Sequence, residues 1–512
     1  MKHLFAVKSL DRLIGDTRDP SHQLKRTLGP VQLTALGIGA IIGAGIFSTV
    51  GTAAAGGADH LGAGPAVALS FVLTAIACAF AALCYAEFAA MVPVSGSAYT
   101  YAYATLGEFI AWIIGWDLIL EYAIGNVAVA VSWSGYFQEL LNGLGLGIPK
   151  WIGIDYRSAA QAAAQLAATE ASGGDVQALG AVVLKAADAF ARAPHVAGIP
   201  IILDVPAFLI VVLITWVLVR GIRESAWMNT SMVVLKLLVI GFFIVVGAFY
   251  VKPEHWAPFA PNGFKGISSA AAIIFFAYIG FDAVSTAAEE TKNPQRDMPI
   301  AMMASLAICT VIYIVVALVL TGMLDWKQLG TAEPLATAFS ALGMNWASGI
   351  ISLGAVFATT SVLIVFQLGQ PRIFFSMARD GLLPAWAAKV HPKFRTPHVT
   401  TILTGAFVAV FATLLNINEV VELTNIGTLF AFILVSIGIV VLRRTDPNRP
   451  RPFRAPFVPW VPLFSCLMCG YLMWQLPTRT WERFFIWLAI GIVIYFAYGI
   501  RHSVLRKANT KA

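Results

Sequence analysis

A chain of 512 residues that is 58% hydrophobic and only 12% charged, with a mean hydropathy of +0.77, stands far from the roughly 25% charged content of soluble domains. This composition excludes an ordinary soluble enzyme and predicts an all-α polytopic membrane protein. The formal net charge of +7 is read as membrane topology and attraction to anionic lipid headgroups, with no nucleic acid as partner.

The first thirty residues carry Lys2, Lys8, Arg12, Arg18, Lys25 and Arg26 and lack a short apolar core before a small-residue cleavage site, so no signal peptide is read. About 20 apolar residues are needed to cross ~30 Å of hydrocarbon. Twelve windows meet that length: 31–55, 65–92, 105–141, 201–219, 228–250, 267–288, 299–323, 345–372, 398–415, 419–442, 456–475 and 481–500. Basic clusters at Arg443, Arg444, Arg449, Arg451 and Arg454, and in the tail at Arg501, Arg506, Lys507 and Lys511, alternate with poorly basic loops. By the positive-inside rule both termini are expected in the cytoplasm, with the protein in the cell (inner or plasma) membrane.

The connection between the third and fourth windows, 142–200, is alanine-rich with scattered charges and is broken by Ser172-Gly173-Gly174. It reads as two short amphipathic helices forming an extracytoplasmic insertion. Five cysteines, Cys78, Cys84, Cys309, Cys466 and Cys469, fall within windows and read as small packing residues.

Two windows are interrupted. Gly37, Gly39, Gly43 and Gly45 lie in the first, and Gly280 in the sixth; each glycine costs a helix interior about 1 kcal/mol relative to alanine. Unwound backbone at membrane depth is tolerated only where it lines a cavity or meets a ligand. Paired interruptions in separated segments point to a transporter site at the midplane. The order of the windows divides the chain into 1–30 (N-terminal segment), 31–250 (first five-helix repeat, with the 142–200 insertion), 251–442 (second repeat), 443–500 (helices 11 and 12) and 501–512 (tail).

Ionisable groups inside the windows are costly and mark function. Lys236 is ~13 Å along its helix at ~1.5 Å per residue, too deep for easy snorkelling; the charged form is penalised there, which suits a group that releases and regains a proton. Asp117 and Glu121 share one helix face at i, i+4, and Asp282 follows the sixth-window glycine. Glu87, Glu289, Glu290 and Glu422 fall near window ends and read as solvated, with Arg223, Lys292, Arg296 or Arg379 as the alternative partners. Thr359, Thr360 and Ser361 could bond across to other helices or back to their own.

The segment Gly37-Ile38-Gly39-Ala40-Ile41-Ile42-Gly43-Ala44-Gly45-Ile46-Phe47 resembles the first-helix motif of the amino acid-polyamine-organocation superfamily. Tyr85-Ala86-Glu87-Phe88, Pro93-Val94-Ser95-Gly96-Ser97-Ala98-Tyr99-Thr100-Tyr101, Gly115-Trp116-Asp117-Leu118-Ile119-Leu120-Glu121-Tyr122, Gly280-Phe281-Asp282, Glu289-Glu290, Asn293-Pro294 and Ser376-Met377-Ala378-Arg379-Asp380-Gly381 are similar to bacterial relatives of the mammalian cationic amino acid transporters. The resemblance implies twelve transmembrane helices in a five-plus-five inverted repeat of the sodium-symporter-like type, with two extra helices and with helices 1 and 6 broken. It implies substrate contacts from Ile41, Gly43, Ala44, Gly45, Glu121, Phe276, Ala277, Ile279 and Asp282, and proton coupling through Lys236 touching carbonyls of the broken first helix. Many relatives carry threonine where this chain has Ala44, so a hydroxyl that would hold the substrate carboxylate is missing.

The function expected is proton-coupled uptake of cationic amino acids (arginine, lysine, ornithine), with some neutral ones. The alternatives are a neutral amino acid carrier, an exchanger, or a membrane amino acid sensor. An intramembrane enzyme is disfavoured because no His-Glu-x-x-His, Gly-x-Ser-x-Gly or Gly-x-Gly-Asp motif is present, and ATP-driven pumping because there is no nucleotide loop. No cofactor or metal is expected, the partners being the amino acid, protons and membrane lipids, and the chain is expected to be monomeric or weakly associated.

Overall fold

Backbone groups in hydrocarbon must find partners within their own segment, and the chain answers almost wholly with helices. The computed structural model describes residues 6–8, 10, 28–57, 60–92, 97–221, 226–394 and 396–511. Lys2, Arg12, Arg18, Lys25 and Arg26, the Pro93–Gly96 part of one motif, Arg223, and the side chains of Glu289 and Lys511 lie outside the described residues.

In chain order the main helices are α1 (Pro30–Ile41), α2 (Val50–Ala55), α3 (Val67–Met91), α4 (Ser97–Thr105), α5 (Glu108–Gly143), α6 (Tyr156–Ala171), α7 (Gly180–Arg192), α8 (Val205–Arg220), α9 (Ala226–Ala248), α10 (Gly263–Ile274), α11 (Pro294–Met323), α12 (Pro334–Ala341), α13 (Asn345–Arg379), α14 (His398–Leu414), α15 (Ile417–Thr445), α16 (Trp460–Trp474), α17 (Thr478–Ile494) and α18 (Val504–Lys511). Among the described residues, eight helices are long and apolar enough to cross a membrane, or nine when α1 and the helical stretch ending in α2 are counted as one bent span. Helices α8, α14 and α16 are shorter apolar helices. The protein is therefore a multi-pass membrane protein of helical type.

Two packing groups emerge. Helix α11 packs on α1 and α3, and α10 on α3, while α5, α8, α13 and α14 form a second set. Helix α15 lies along α5, and α9 bridges α1, α11 and α13. The α5–α13 contact, the most extensive in the molecule, is stitched by polar side chains: Gln370 Nε2 donates to the Ile119 carbonyl at 3.1 Å, and Trp133 Nε1 donates to Thr360 Oγ1 at 2.8 Å. Thr359 and Thr360 donate back to their own helix, at Ala355 and Val356.

The 142–200 stretch contains the two helices expected of it, α6 and α7, plus an antiparallel two-residue ladder, His195–Val196 against Ile199–Pro200. It is anchored to α5 by Gln138 Nε2 donating to the Gly153 carbonyl at 2.8 Å. It reaches α15 through the Arg157–Glu419 ion pair at 3.2 Å. Helices α4 and α12 are additions that hydropathy does not signal, being short and outside the apolar windows.

Described residues near the two ends of the chain meet around Tyr103, Glu108 and Asp380. Near the N-terminus, Lys8 N donates to the Tyr103 carbonyl at 3.1 Å and Glu108 N to the Ala6 carbonyl at 3.0 Å. From the tail, Arg506 Nε donates to Glu108 Oε1 at 2.8 Å, and Val504 N to the Asp380 carbonyl at 3.0 Å.

One expectation is overturned here. Glu87 is not a solvated window end but is fully buried. It accepts from Arg443 at 3.0 and 2.5 Å and from the Ala455 amide at 2.8 Å, with Arg451 at 3.4 Å. Glu422 is also buried and accepts from Thr480 at 2.8 Å. A carboxylate withdrawn from water needs compensating donors, and these come from helices that only the fold brings near. Glu290 is exposed, as read.

Candidate functional site

Helix α1 stops where four glycines weaken it. The Ile42 backbone turns extended, with ψ 100°; the chain then restarts as a π turn over Gly45–Thr49 and runs into α2, bent by 42° from α1. Such π turns recur at functional positions. Helix α10 tightens into a 3-10 turn, Phe275–Tyr278, then leaves helical geometry at Ile279, ψ 132°, and Gly280, φ 118°. That φ favours glycine alone, and a β-carbon there would also lie 2.8 Å from the Ala40 carbonyl oxygen. The chain resumes as a 3-10 helix, Asp282–Glu290.

The two interruptions face each other. Gly45 packs its backbone directly on Ala277, and Gly280 lies on Ala40. Ile41, Gly43, Ala44, Gly45, Phe276, Ala277 and Ile279 are thereby drawn together and all are buried. Gly43 meets Val362 of α13.

Donors from neighbouring helices hold the first break open. Lys236 of α9, only 1% exposed, donates from Nζ to the Gly39 carbonyl at 2.8 Å and to the Ile42 carbonyl at 3.0 Å. Tyr313 of α11 donates to the Ile41 carbonyl at 2.9 Å. Helix ends leave their last carbonyls unsatisfied, and here an ammonium and a phenol supply what the missing turn would have supplied. Tyr313 was not singled out by the sequence; a tyrosine in an apolar window carries no signal of its hydroxyl's target.

Three acids gather beside this arrangement. A small enclosed pocket is lined by Ala40, Glu121, Tyr122, Ile279, Gly280, Asp282, Ala283, Val362, Val365 and Phe366. Its free volume of about 20 Å³ is room for roughly one water. Asp282 accepts from the Gly280 amide at 3.3 Å, and Glu121 lies within electrostatic reach of Asp282, Asp117 and Thr428. Asp117 is fully buried against Gly427 of α15, and both its oxygens lack a hydrogen-bond partner among the described residues. Among those residues none of the three acids is in a salt bridge with a basic side chain. Buried carboxylates without a basic partner are costly in their charged form.

The family description "Amino acid permease" matches residues 28–496. The chain belongs to the amino acid permease family. A branched-chain amino acid permease of Bacillus subtilis is 46% identical over 505 residues, covering 98% of this chain and 99% of that protein. A methylthioribose transporter of the same organism is 45% identical over 507 residues, covering 99% and 100%. A vacuolar cationic amino acid transporter of Arabidopsis thaliana is 34% identical over 454 residues, covering 88% and 68%. These relatives are transporters rather than enzymes, and two of nearly equal identity carry names with unrelated cargo, so identity at this level does not specify what this permease moves. Its pocket must be read directly.

Proposed function

We propose that this permease is a secondary active carrier that takes up amino acids together with protons, cationic amino acids foremost. The observation that supports this is the Lys236 ammonium bonded to the Gly39 and Ile42 carbonyls at the first break. A charge-assisted bond is roughly twice as strong as a neutral one, so loading or removing that proton strengthens or loosens the hold on the break. In this reading twelve crossings are arranged as two inverted fives plus two, with both termini in the cytoplasm of a cell membrane.

Amide groups at the start of the Gly45–Ala55 stretch, where a helix leaves its first N–H groups without an intrahelical partner, take the substrate carboxylate around Gly43, Ala44 and Gly45. Carbonyls around Ile41, Phe276, Ala277 and Ile279 take its ammonium. The pocket wall of Ile279, Val362, Val365 and Phe366 ending in Glu121 and Asp282 suits an alkyl stem that carries a terminal cation. With room for about one water, the pocket must open before cargo enters, and the α1-α3-α10-α11 group rocking against the α5-α8-α13-α14 group provides that opening.

The test is uptake of labelled arginine into vesicles holding the purified protein, with an imposed pH gradient and empty vesicles as the blank. Saturable uptake driven by external acid, and lost in Lys236→Ala, is the expected result. Exchange against internal arginine that proceeds without any response to the pH gradient would make the protein an exchanger. Binding without flux would make it a sensor.

A second reading is favoured by the apolar wall itself and by the relative named for branched-chain amino acids: neutral aliphatic cargo, with Glu121 and Asp282 protonated throughout. A thermal-shift screen of the twenty amino acids decides, since a ligand that prefers the folded state raises the melting point. Shifts confined to leucine, isoleucine and valine would replace the cationic reading.

A further inference from the structure

Lys236 has a counterpart on the other break. Helices α1 and α10 are each twelve residues long; α1 loses helical geometry at its end, whereas α10 tightens into the 3-10 turn before losing it at Ile279. Stopping a helix, or tightening it from α to 3-10, strands carbonyls of the last turn. At α1 the Lys236 ammonium of α9 takes two of them, Gly39 and Ile42. At α10 the Asn425 side-chain amide of α15 also takes two, donating to the Ala272 carbonyl at 2.7 Å and the Ile273 carbonyl at 3.1 Å. Gly39 and Ala272 are each the tenth residue of their helix.

Asn425 is fully buried. Its amide nitrogen is the only part of the side chain able to face two carbonyl oxygens, so its orientation is set by the backbone it serves. Its Oδ1 has no partner among the described residues. One turn beyond, Thr428 lies beside Glu121 of α5, and Glu422 on the same helix is engaged by Thr480. Among the described residues, Cys309 of α11 lies within electrostatic reach of Lys236, and Tyr313 of the same helix donates to the Ile41 carbonyl.

We propose that Asn425 is the positioning residue of the second break and the uncharged counterpart of Lys236, so that the two breaks are held by the same device and only the first responds to protons. The ammonium at the first break gains and loses a proton; the amide at the second does not titrate in water's working range. The first break is then the one released during the cycle, while the second keeps Phe276 and Ala277 fixed against it. The division of labour rests on the proton-coupled amino acid reading above, whereas the clamp on Ala272 and Ile273 stands apart from the cargo.

The experiment uses the full-length protein in three forms: wild type, Asn425→Leu and Asn425→Asp. The first readout is hydrogen exchange at the amides of residues 275–281. Leucine removes the side-chain donor from two buried carbonyls, and exchange there is expected to rise about tenfold or more, while exchange around residues 42–46 changes less. The second readout is amino acid affinity by thermal shift and uptake across pH 4.5 to 8, each value divided by wild type at the same pH. Asn425→Leu is expected to lose about tenfold in affinity with the pH midpoint of uptake unmoved.

Asn425→Asp is expected to recover part of wild-type affinity at the acid end, where the carboxyl's single O–H can donate to one of the two carbonyls, and to lose about tenfold at pH 8, where a carboxylate would face both. A side chain that merely fills space would show no such pH-dependent rescue. If the leucine variant does not fold, Asn425→Asp at the two pH values carries the test alone. Unchanged exchange at 275–281 overturns the clamp. A shift of the uptake midpoint by Asn425→Leu like that of a Lys236 variant overturns the division of labour. Wild-type protein that neither binds nor moves any amino acid, with exchange still raised in the variant, defeats the cargo reading and leaves the clamp standing.

Discussion

The α-carbon of Ala277 occupies the space that a β-carbon on Gly45 would need. Two chain segments more than two hundred residues apart are thus in backbone contact at the point where each abandons its helix.

Gly45→Ala therefore has no room to relax into, since the obstructing atom is main chain rather than a side-chain tip. Overpacking of this kind costs about 1–3 kcal/mol, and here it pushes the two breaks apart. Uptake in vesicles is expected to fall about tenfold or more, with the substrate-induced thermal shift lost as well. Wild-type uptake in this variant would show that the backbone contact plays no part in transport.

Glu121→Gln and Asp282→Asn test where a cargo cation is met. Each removes one carboxylate from the pocket shared with Tyr122 and Phe366. Hydrogen bonds to charged groups contribute about 1.5–3 kcal/mol, so arginine affinity is expected to drop about tenfold while a neutral amino acid, if bound, is spared. Arginine affinity within about twofold of wild type in both variants would remove the acids from cargo recognition.

Glu87 is expected to support stability rather than transport. It is buried under two arginines and a backbone amide, and breaking a buried pair by deleting one partner typically costs about 3–5 kcal/mol. Glu87→Ala is expected to lower the melting temperature in detergent by several degrees. Its binding preferences among amino acids should be unaltered.

Stability should also depend on pH through Asp155, which lies in the insertion and caps α6 by accepting from the Ser158 amide at 2.7 Å. Burial, with Glu419 adding and the Ser158 hydrogen bonds opposing, raises its pKa from 3.8 to about 6. An acid raised on folding is charged more readily in the unfolded chain, so its contribution to stability declines as pH rises from about 4 to about 6 and is level beyond. The decline is on the order of 2–3 kcal/mol. An asparagine side chain at this position stays uncharged and can still cap; Asp155→Asn is thus expected to melt higher than wild type at pH 7 and not at pH 4. Parallel melting curves at the two pH values would refute this.

The apolar windows and the glycine runs were legible because both are local properties: a span needs only length and hydropathy, and helix weakening needs only Gly37, Gly39, Gly43 and Gly45 in one stretch. Lys236, Glu121 and Asp282 were legible because a charge in an apolar window is costly wherever the helix ends up. Two amphipathic helices in 142–200 could be read from the same periodic logic.

Partnership was not readable, since it depends on which helices the fold sets side by side. Glu87 looked like a solvated end until α15 and the loop after it brought Arg443 and Arg451 onto it. Asn425 and Tyr313 are ordinary polar residues in apolar windows, and only the packing of α15 on the end of α10 and of α11 on α1 gives their donors stranded carbonyls to serve. The chain's own residues determined where helices would span and where they would fail. Tertiary packing decided what fills each failure, because a broken helix exposes groups whose partners lie on other segments.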